Sequence, residues 1–309
     1  MVPGEPRDPE VSFARMYGRT QSLRLLETVF LGDAAMPIEF RPLSDAIGVE
    51  AIGVDLSQDF SLETFEKIRR EWERNCVILF RGQKIDEDMQ VRFAKRFGPL
   101  ARTANAERAA KTNPAIMLIS NIREDGKVIG ALPDGEMHFH SDQTYIENPA
   151  TGTMLYALEI PSKGGNTLFA NALKAYDDLP AHLKVVLSGK SAMHSYDAIS
   201  TLRPASMGLE PKSFIHPIFR THPPTGRKAI YVNRLMTQHI IGMPKDESDD
   251  VLSELFVHQE QRRYVYEHVW TVGDLMFWDN RSCLHARTDF DASERRLLRR
   301  LTLLGEKPY

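Results

Sequence analysis

Cys76-Val77-Ile78-Leu79-Phe80 is an unbroken apolar run of strand length, ended by Arg81-Gly82, and it reads as a strand buried on both faces. Such a strand sits inside a sheet with packed elements on either side, so its neighbours decide the architecture. Before it, Phe65, Ile68 and Trp72 recur at helical spacing, which predicts an amphipathic helix. Ser61 is a weak start signal for that helix, because Thr64 stands where a capping box places an acid or amide. After the run, Asp86 opens a second helix carrying Met89, Phe93 and Phe97 and closed by Gly98-Pro99.

Further out, short strand patterns recur to both ends. They cover Ile38-Glu39-Phe40-Arg41-Pro42, Ala51 to Leu56, Ala115 to Ile119, Thr167-Leu168-Phe169, Ala229 to Val232, Leu275-Met276-Phe277-Trp278 and Leu301 to Leu304. Helical stretches are expected from about Ala172 to Leu187, broken at Pro180, and from about Ser248 to Glu260. Residues 195–225, rich in Pro, Ser and Thr, read as a long loop and a candidate lid. Residues 1–35, with Pro3, Pro6, Pro9 and a helical stretch around Leu23 to Phe30, read as an arm, and residues 36–309 as a single domain. The expected fold is mainly β with packed helices, a barrel or jelly roll rather than a parallel α/β sheet, because the later strands are joined mostly by turns and loops.

With 42% hydrophobic and 26% charged residues over 309 positions, the chain can bury a large core and is not of disordered composition. A net charge of −3 gives no overall attraction to nucleic acid or to an anionic membrane surface. No apolar run approaches the roughly 20 residues that span a bilayer. Cys76 and Cys283 are the only cysteines and make no disulfide framework, and the first 30 residues lack a signal-peptide pattern, so a cytoplasmic location is expected. Homo-oligomerisation is expected only because it is common among soluble enzymes.

The chemistry is carried by Glu136-Met137-His138-Phe139-His140-Ser141-Asp142. His140 and Asp142 stand two apart, which on an extended strand turns both side chains to one face. His285, after a strand and the turn Trp278-Asp279-Asn280-Arg281, would complete two imidazoles and one carboxylate on a metal. That donor set leaves coordination positions open and suits non-haem Fe(II) binding a co-substrate and O2, whereas structural zinc takes four protein ligands. Alone, H-x-D occurs by chance, and a histidine in an apolar strand is more often a satisfied core residue. Arg296, eleven positions after His285, and Thr167 supply what the distal carboxylate of 2-oxoglutarate needs, a bidentate cation and a hydroxyl donor.

An H-x-D pair, a Thr twenty-five positions after the Asp, a distant His and an Arg eleven further on resemble the taurine dioxygenase and 2,4-dichlorophenoxyacetate dioxygenase (TauD/TfdA) family. The likeness extends from about Ile38 to Gly305 through Phe80-Arg81-Gly82-Gln83, Phe97-Gly98-Pro99-Leu100, the segment Pro161 to Thr167, Arg220-Thr221-His222-Pro223, Gly226-Arg227-Lys228 and the segment Gly273 to Arg281. The resemblance implies a double-stranded β-helix of cupin-like type, Fe(II) on His140, Asp142 and His285, and 2-oxoglutarate on Thr167 and Arg296. It implies O2-dependent hydroxylation of a substrate C–H with release of succinate and CO2, and cleavage where the attacked carbon bears a heteroatom. Arg300 falls where relatives hold a substrate's anionic group, so a small organic anion (carboxylate, sulfonate or aryloxy or alkyl acid) is expected. Tyr145, Asn233 and Met236 are candidate pocket walls by position.

The chain departs from the family pattern at Phe139, where Trp is common, at His138, an additional imidazole for which a hydrogen-bonding role behind the ligands is expected, and at Thr103, where the taurine enzyme has a sulfonate-binding histidine. Asp142 favours hydroxylation over halogenation, because related halogenases have a small residue there. Two other readings fit the residues less well. An oxygenase with the same triad and no 2-oxoglutarate would leave Thr167 and Arg296 without a ligand, and a non-catalytic binding protein would have no need of the full set.

Overall fold

The computed structural model describes residues 38–102, 110, 113–131, 137–196 and 212–309. The helical stretch expected at Leu23 to Phe30, Thr103 and residues 197–211 of the candidate lid lie outside the described residues.

The first half of the chain forms β1 (Glu39–Pro42), β2 (Val49–Ile52), α1 (Leu62–Asn75), β3 (Val77–Phe80), α2 (Glu87–Lys95), β4 (Met117–Ser120) and the short ribbon β5 (Arg123–Glu124) and β6 (Lys127–Val128). Next come β7 (Gly152–Glu159), β8 (Thr167–Asn171), α3 (Ala172–Asp177), α4 (Ala181–Leu187), β9 (Ser191–Ser195), β10 (Ser213–Pro217), β11 (Phe219–Thr221), β12 (Lys228–Ile230) and β13 (Thr237–Ile240). The chain closes with α5 (Lys245–Gln259), β14 (Val265–His268), β15 (Leu275–Asp279), β16 (Cys283–Arg287) and β17 (Leu297–Leu303).

Val77 to Phe80 form β3, buried along its whole length within a seven-stranded sheet of order β1-β2-β3-β15-β7-β17-β4. Its alternation sorts the two layers. Ile78 and Phe80 join Leu275, Phe277, Met154 and Tyr156 in a core covered by Ile68 and Trp72 of α1 and Phe93 of α2. Val77 and Leu79 face the other way with Leu155, Met276, Trp278 and Leu298, against Phe169 and Cys283 of a second sheet, β14-β8-β16. Trp72 stacks on Phe277 with centroids 4.2 Å apart, pinning α1 to the sheet. Two facing sheets with helices on the outer face form the mainly β, double-stranded β-helix fold that the sequence led us to expect.

Local chemistry sets the element ends. Ser61 does cap α1, its hydroxyl accepting from Thr64 N at 3.1 Å, and Asp86 caps α2 by accepting from Met89 N at 2.8 Å. Cys76, expected as the first strand residue, instead caps α1 in the left-handed region with φ 65°, so the helix passes straight into β3. Pro180 separates α3 from α4 as anticipated. Residues 213–217 and 219–221, read from composition as loop, are strands β10 and β11, because pairing with β9 and β12 supplies hydrogen bonds that prolines in the sequence seemed to deny. β17 begins four residues before the apolar stretch Leu301 to Leu304, since Arg299 and Arg300 hid its pattern.

Candidate metal centre

The segment preceding Asp142 joins the edge of the second sheet. His140 N donates to His285 O at 2.9 Å and His285 N to His140 O at 2.8 Å, a single antiparallel bridge that sets the two imidazoles side by side, centroids 4.2 Å apart. Asp142 Oδ1 lies 4.0 Å from His140 Nε2 and 3.8 Å from His285 Nε2. One donor atom from each of the three residues falls within 4.8 Å of the others, and all three residues are buried. Among the described residues no other group of His, Cys, Asp and Glu gathers in this way.

The surroundings prepare these donors. His138 O lies 2.8 Å from His140 Nδ1, and since a carbonyl only accepts, Nδ1 carries the proton and Nε2 offers its lone pair. His138 thus contributes its backbone carbonyl to the orientation of His140. Burial, then the neighbouring His140, holds His285 well below the usual imidazole range, so it is neutral. Burial tends to raise the Asp142 carboxyl, but Arg300, His285, His140 and the Thr153 hydroxyl outweigh it and hold it well below the usual carboxylate range. Two imidazoles and a carboxylate, all buried and convergent, are a donor set suited to a divalent metal.

Residues that the sequence reading did not single out fix the carboxylate. Thr153 Oγ1 donates to Asp142 Oδ2 at 2.6 Å, and Asn280 Nδ2 donates to Thr153 Oγ1 at 3.0 Å. Asn280 Oδ1 accepts from Trp278 Nε1 at 3.0 Å and from Asp142 N at 3.3 Å, and Asn280 O accepts from Ser141 Oγ at 2.6 Å. The turn between β15 and β16 that carries Asn280 is itself clamped, with Arg281 Nε and NH2 reaching Asp279 at 2.9 and 2.7 Å and His222 Nε2 lying 3.0 Å from Asp279 Oδ2. Asn280 had drawn notice only as part of a family-like segment, and Thr153 carries no local signal beyond its place in a strand.

A cavity opens beside His285, lined by Ile119, Leu155, Thr167, Trp278, Ala286, Arg287, Arg296 and Arg300. Thr167 Oγ1 accepts from Trp270 Nε1 at 3.1 Å, which leaves the hydroxyl proton available to a ligand. Arg296 is 1% exposed and is held by Gly165 O, 3.3 Å from Nε and 3.2 Å from NH2. Arg300 NH2 stands 2.5 Å from Asp142 Oδ1, so the expected anion anchor is an ion-pair partner of the triad carboxylate. Thr167, Arg296 and Arg300 are therefore brought together with His285. Of the three candidate wall residues, Tyr145 packs on Tyr196 at 5.0 Å, while Asn233 and Met236 meet Thr144, whose hydroxyl lies 3.4 Å from Asn233 Nδ2 and donates to Met236 Sδ at 3.2 Å.

Residues 39–302 match the family model described as taurine catabolism dioxygenase TauD, TfdA family, and the chain belongs to that family. It is 35% identical to the alpha-ketoglutarate-dependent 2,4-dichlorophenoxyacetate dioxygenase of Burkholderia sp. (strain RASC), over 78% of this chain and 85% of that protein. It is 30% identical to an alpha-ketoglutarate-dependent sulfate ester dioxygenase of Pseudomonas putida, over 89% of this chain and 92% of that one. The crystal structure of AAD-2 in complex with Mn(II) and N-oxalylglycine superposes with a TM-score of 0.75 at 27% identity, covering 88% of this chain and 98% of that one. The chain is accordingly a dioxygenase of the 2-oxoglutarate-dependent class.

Proposed function

We propose that residues 36–309 form one catalytic domain that uses Fe(II), 2-oxoglutarate and O2 to hydroxylate a C–H of a small organic anion. The observation that carries this reading is the convergence of His140, Asp142 and His285 beside a cavity lined by Thr167, Arg296 and Arg300. The iron, when bound, supplies oxidising power by activating O2 while 2-oxoglutarate is converted to succinate and CO2. The chain's part is to bind, orient and exclude water. His140 and His285 present Nε2, and Thr153 and Asn280 keep Asp142 in its rotamer. Thr167 and Arg296 take the distal carboxylate of 2-oxoglutarate in a bidentate, charge-assisted contact. Arg300 takes the substrate's anionic group, such as the carboxylate of an aryloxy acid or a sulfate ester, the substrate types named for the two relatives. Where the attacked carbon bears oxygen, sulfur or nitrogen, the hydroxylated product breaks that bond. Two buried thiols, with Cys76 pushed up to about 12 by burial, suit a reducing cytoplasm.

Anaerobic titration of the apoprotein with Fe(II) and 2-oxoglutarate tests the reading. A weak visible charge-transfer band is expected on forming the chelate, and Arg296→Ala is expected to abolish it at the same concentrations. Bound iron with no band on adding 2-oxoglutarate to the native protein would refute it.

A further inference from the structure

Arg287 ends β16 two residues beyond His285 and so lies on the same face of the strand. It pairs in register with Thr167 and lines the cavity that holds Thr167, Arg296 and Arg300. The residue is buried, 7% exposed. Its NH1 donates to Thr288 O at 3.2 Å, and its Nε meets no acceptor. Its guanidinium lies 5.5 Å from the Phe290 ring, which Arg296 also approaches at 6.0 Å. Among the described residues it forms no ion pair.

A guanidinium withdrawn from water with one carbonyl for company is poorly compensated, and an anion entering the cavity would complete it. We infer that Arg287 is a second cationic anchor for the distal carboxylate of the 2-oxo acid, acting with Arg296 and Thr167, and that it sets the preference for a dicarboxylic over a monocarboxylic 2-oxo acid. The inference rests on the reading of this cavity as the 2-oxoglutarate pocket. His285 and Arg287 are two positions apart on the strand, about 7 Å along the chain, which is on the scale of a five-carbon diacid. Both the Arg287 and Arg296 guanidinium groups line this cavity and approach the Phe290 ring.

The test is calorimetric titration, without O2, of the full chain loaded with Mn(II), using 2-oxoglutarate and 2-oxopentanoate, which lacks the distal carboxylate. Arg287→Gln is expected to weaken 2-oxoglutarate binding roughly tenfold or more, as for loss of a charge-assisted contact, while leaving 2-oxopentanoate within about twofold. The fall of 2-oxoglutarate affinity with added salt is expected to be shallower in Arg287→Gln, and Arg287→Lys is expected to recover much of the preference. Unchanged 2-oxoglutarate affinity in Arg287→Gln, or equal weakening for both acids, would overturn the assignment. Failure of the native protein to bind either acid would instead remove the pocket reading, and this inference with it, before any substitution is compared.

Discussion

Replacing Thr153 by Val keeps the shape of a fully buried side chain and removes one hydroxyl. That hydroxyl links two groups, donating to Asp142 Oδ2 at 2.6 Å and accepting from Asn280 Nδ2 at 3.0 Å. The substitution therefore strips a buried carboxylate oxygen of a donor and a buried amide of an acceptor. Each unsatisfied group costs about 1–3 kcal/mol, and the loss is expected to fall on metal affinity as well as on stability because Asp142 is freed to rotate. Partners that orient a metal's ligands typically contribute 10–100-fold to its binding, so the Mn(II) dissociation constant should rise by roughly that factor. Metal titration followed by electron paramagnetic resonance of free Mn(II) measures it, with Thr153→Ser expected to restore near-native binding. If Thr153→Val folds and binds Mn(II) as tightly as the native chain, Thr153 does not orient Asp142 and the assignment of this carboxylate as a ligand loses its support.

Gly165 adopts φ 65°, and a Cβ there would come within 3.0 Å of Pro161 Cγ and 3.2 Å of Arg296 Nε. Gly165→Ala is expected to cost about 1–2 kcal/mol from backbone strain and crowding and to weaken 2-oxoglutarate binding by displacing Arg296, leaving the metal constant unchanged. Thermal melts and the Mn(II) and 2-oxoglutarate titrations separate these effects. His194 and His216 are buried and held neutral, with burial as the main cause, at about 3 and about 4 respectively. Their folded values are depressed, so the unfolded chain takes up protons first as pH falls through about 6.5. Stability should thus be full above neutrality and fall by about 4 kcal/mol by pH 5, about 2 for each histidine, with roughly half that fall in His216→Asn, as read by urea unfolding at the two pH values.

The strands and helices around β3 were legible because their apolar positions recur with the period of the element and few chemical duties interrupt them. β17 was half hidden, since Arg299 and Arg300 put charge where a strand pattern expects apolar side chains. Arg299 points to the opposite layer, where its NH2 donates to Ile85 O and its guanidinium lies over Tyr156, a use of charge in packing that no spacing rule announces. The triad and the Thr167 and Arg296 pair were readable from spacing and from family likeness. Thr153 and Asn280 were not, because a threonine in a strand and an asparagine in a turn are ordinary until tertiary contact brings them to Asp142. The contacts of Asn233 and Met236 with Thr144 were likewise beyond the sequence, since position along the chain says little about which side of a buried segment a side chain takes.

His140 and His285 lie far apart along the chain, yet two amide hydrogen bonds hold them in register. The two imidazoles are therefore coupled through the main chain, and a substitution that distorts the turn between β15 and β16 is passed to both of them together.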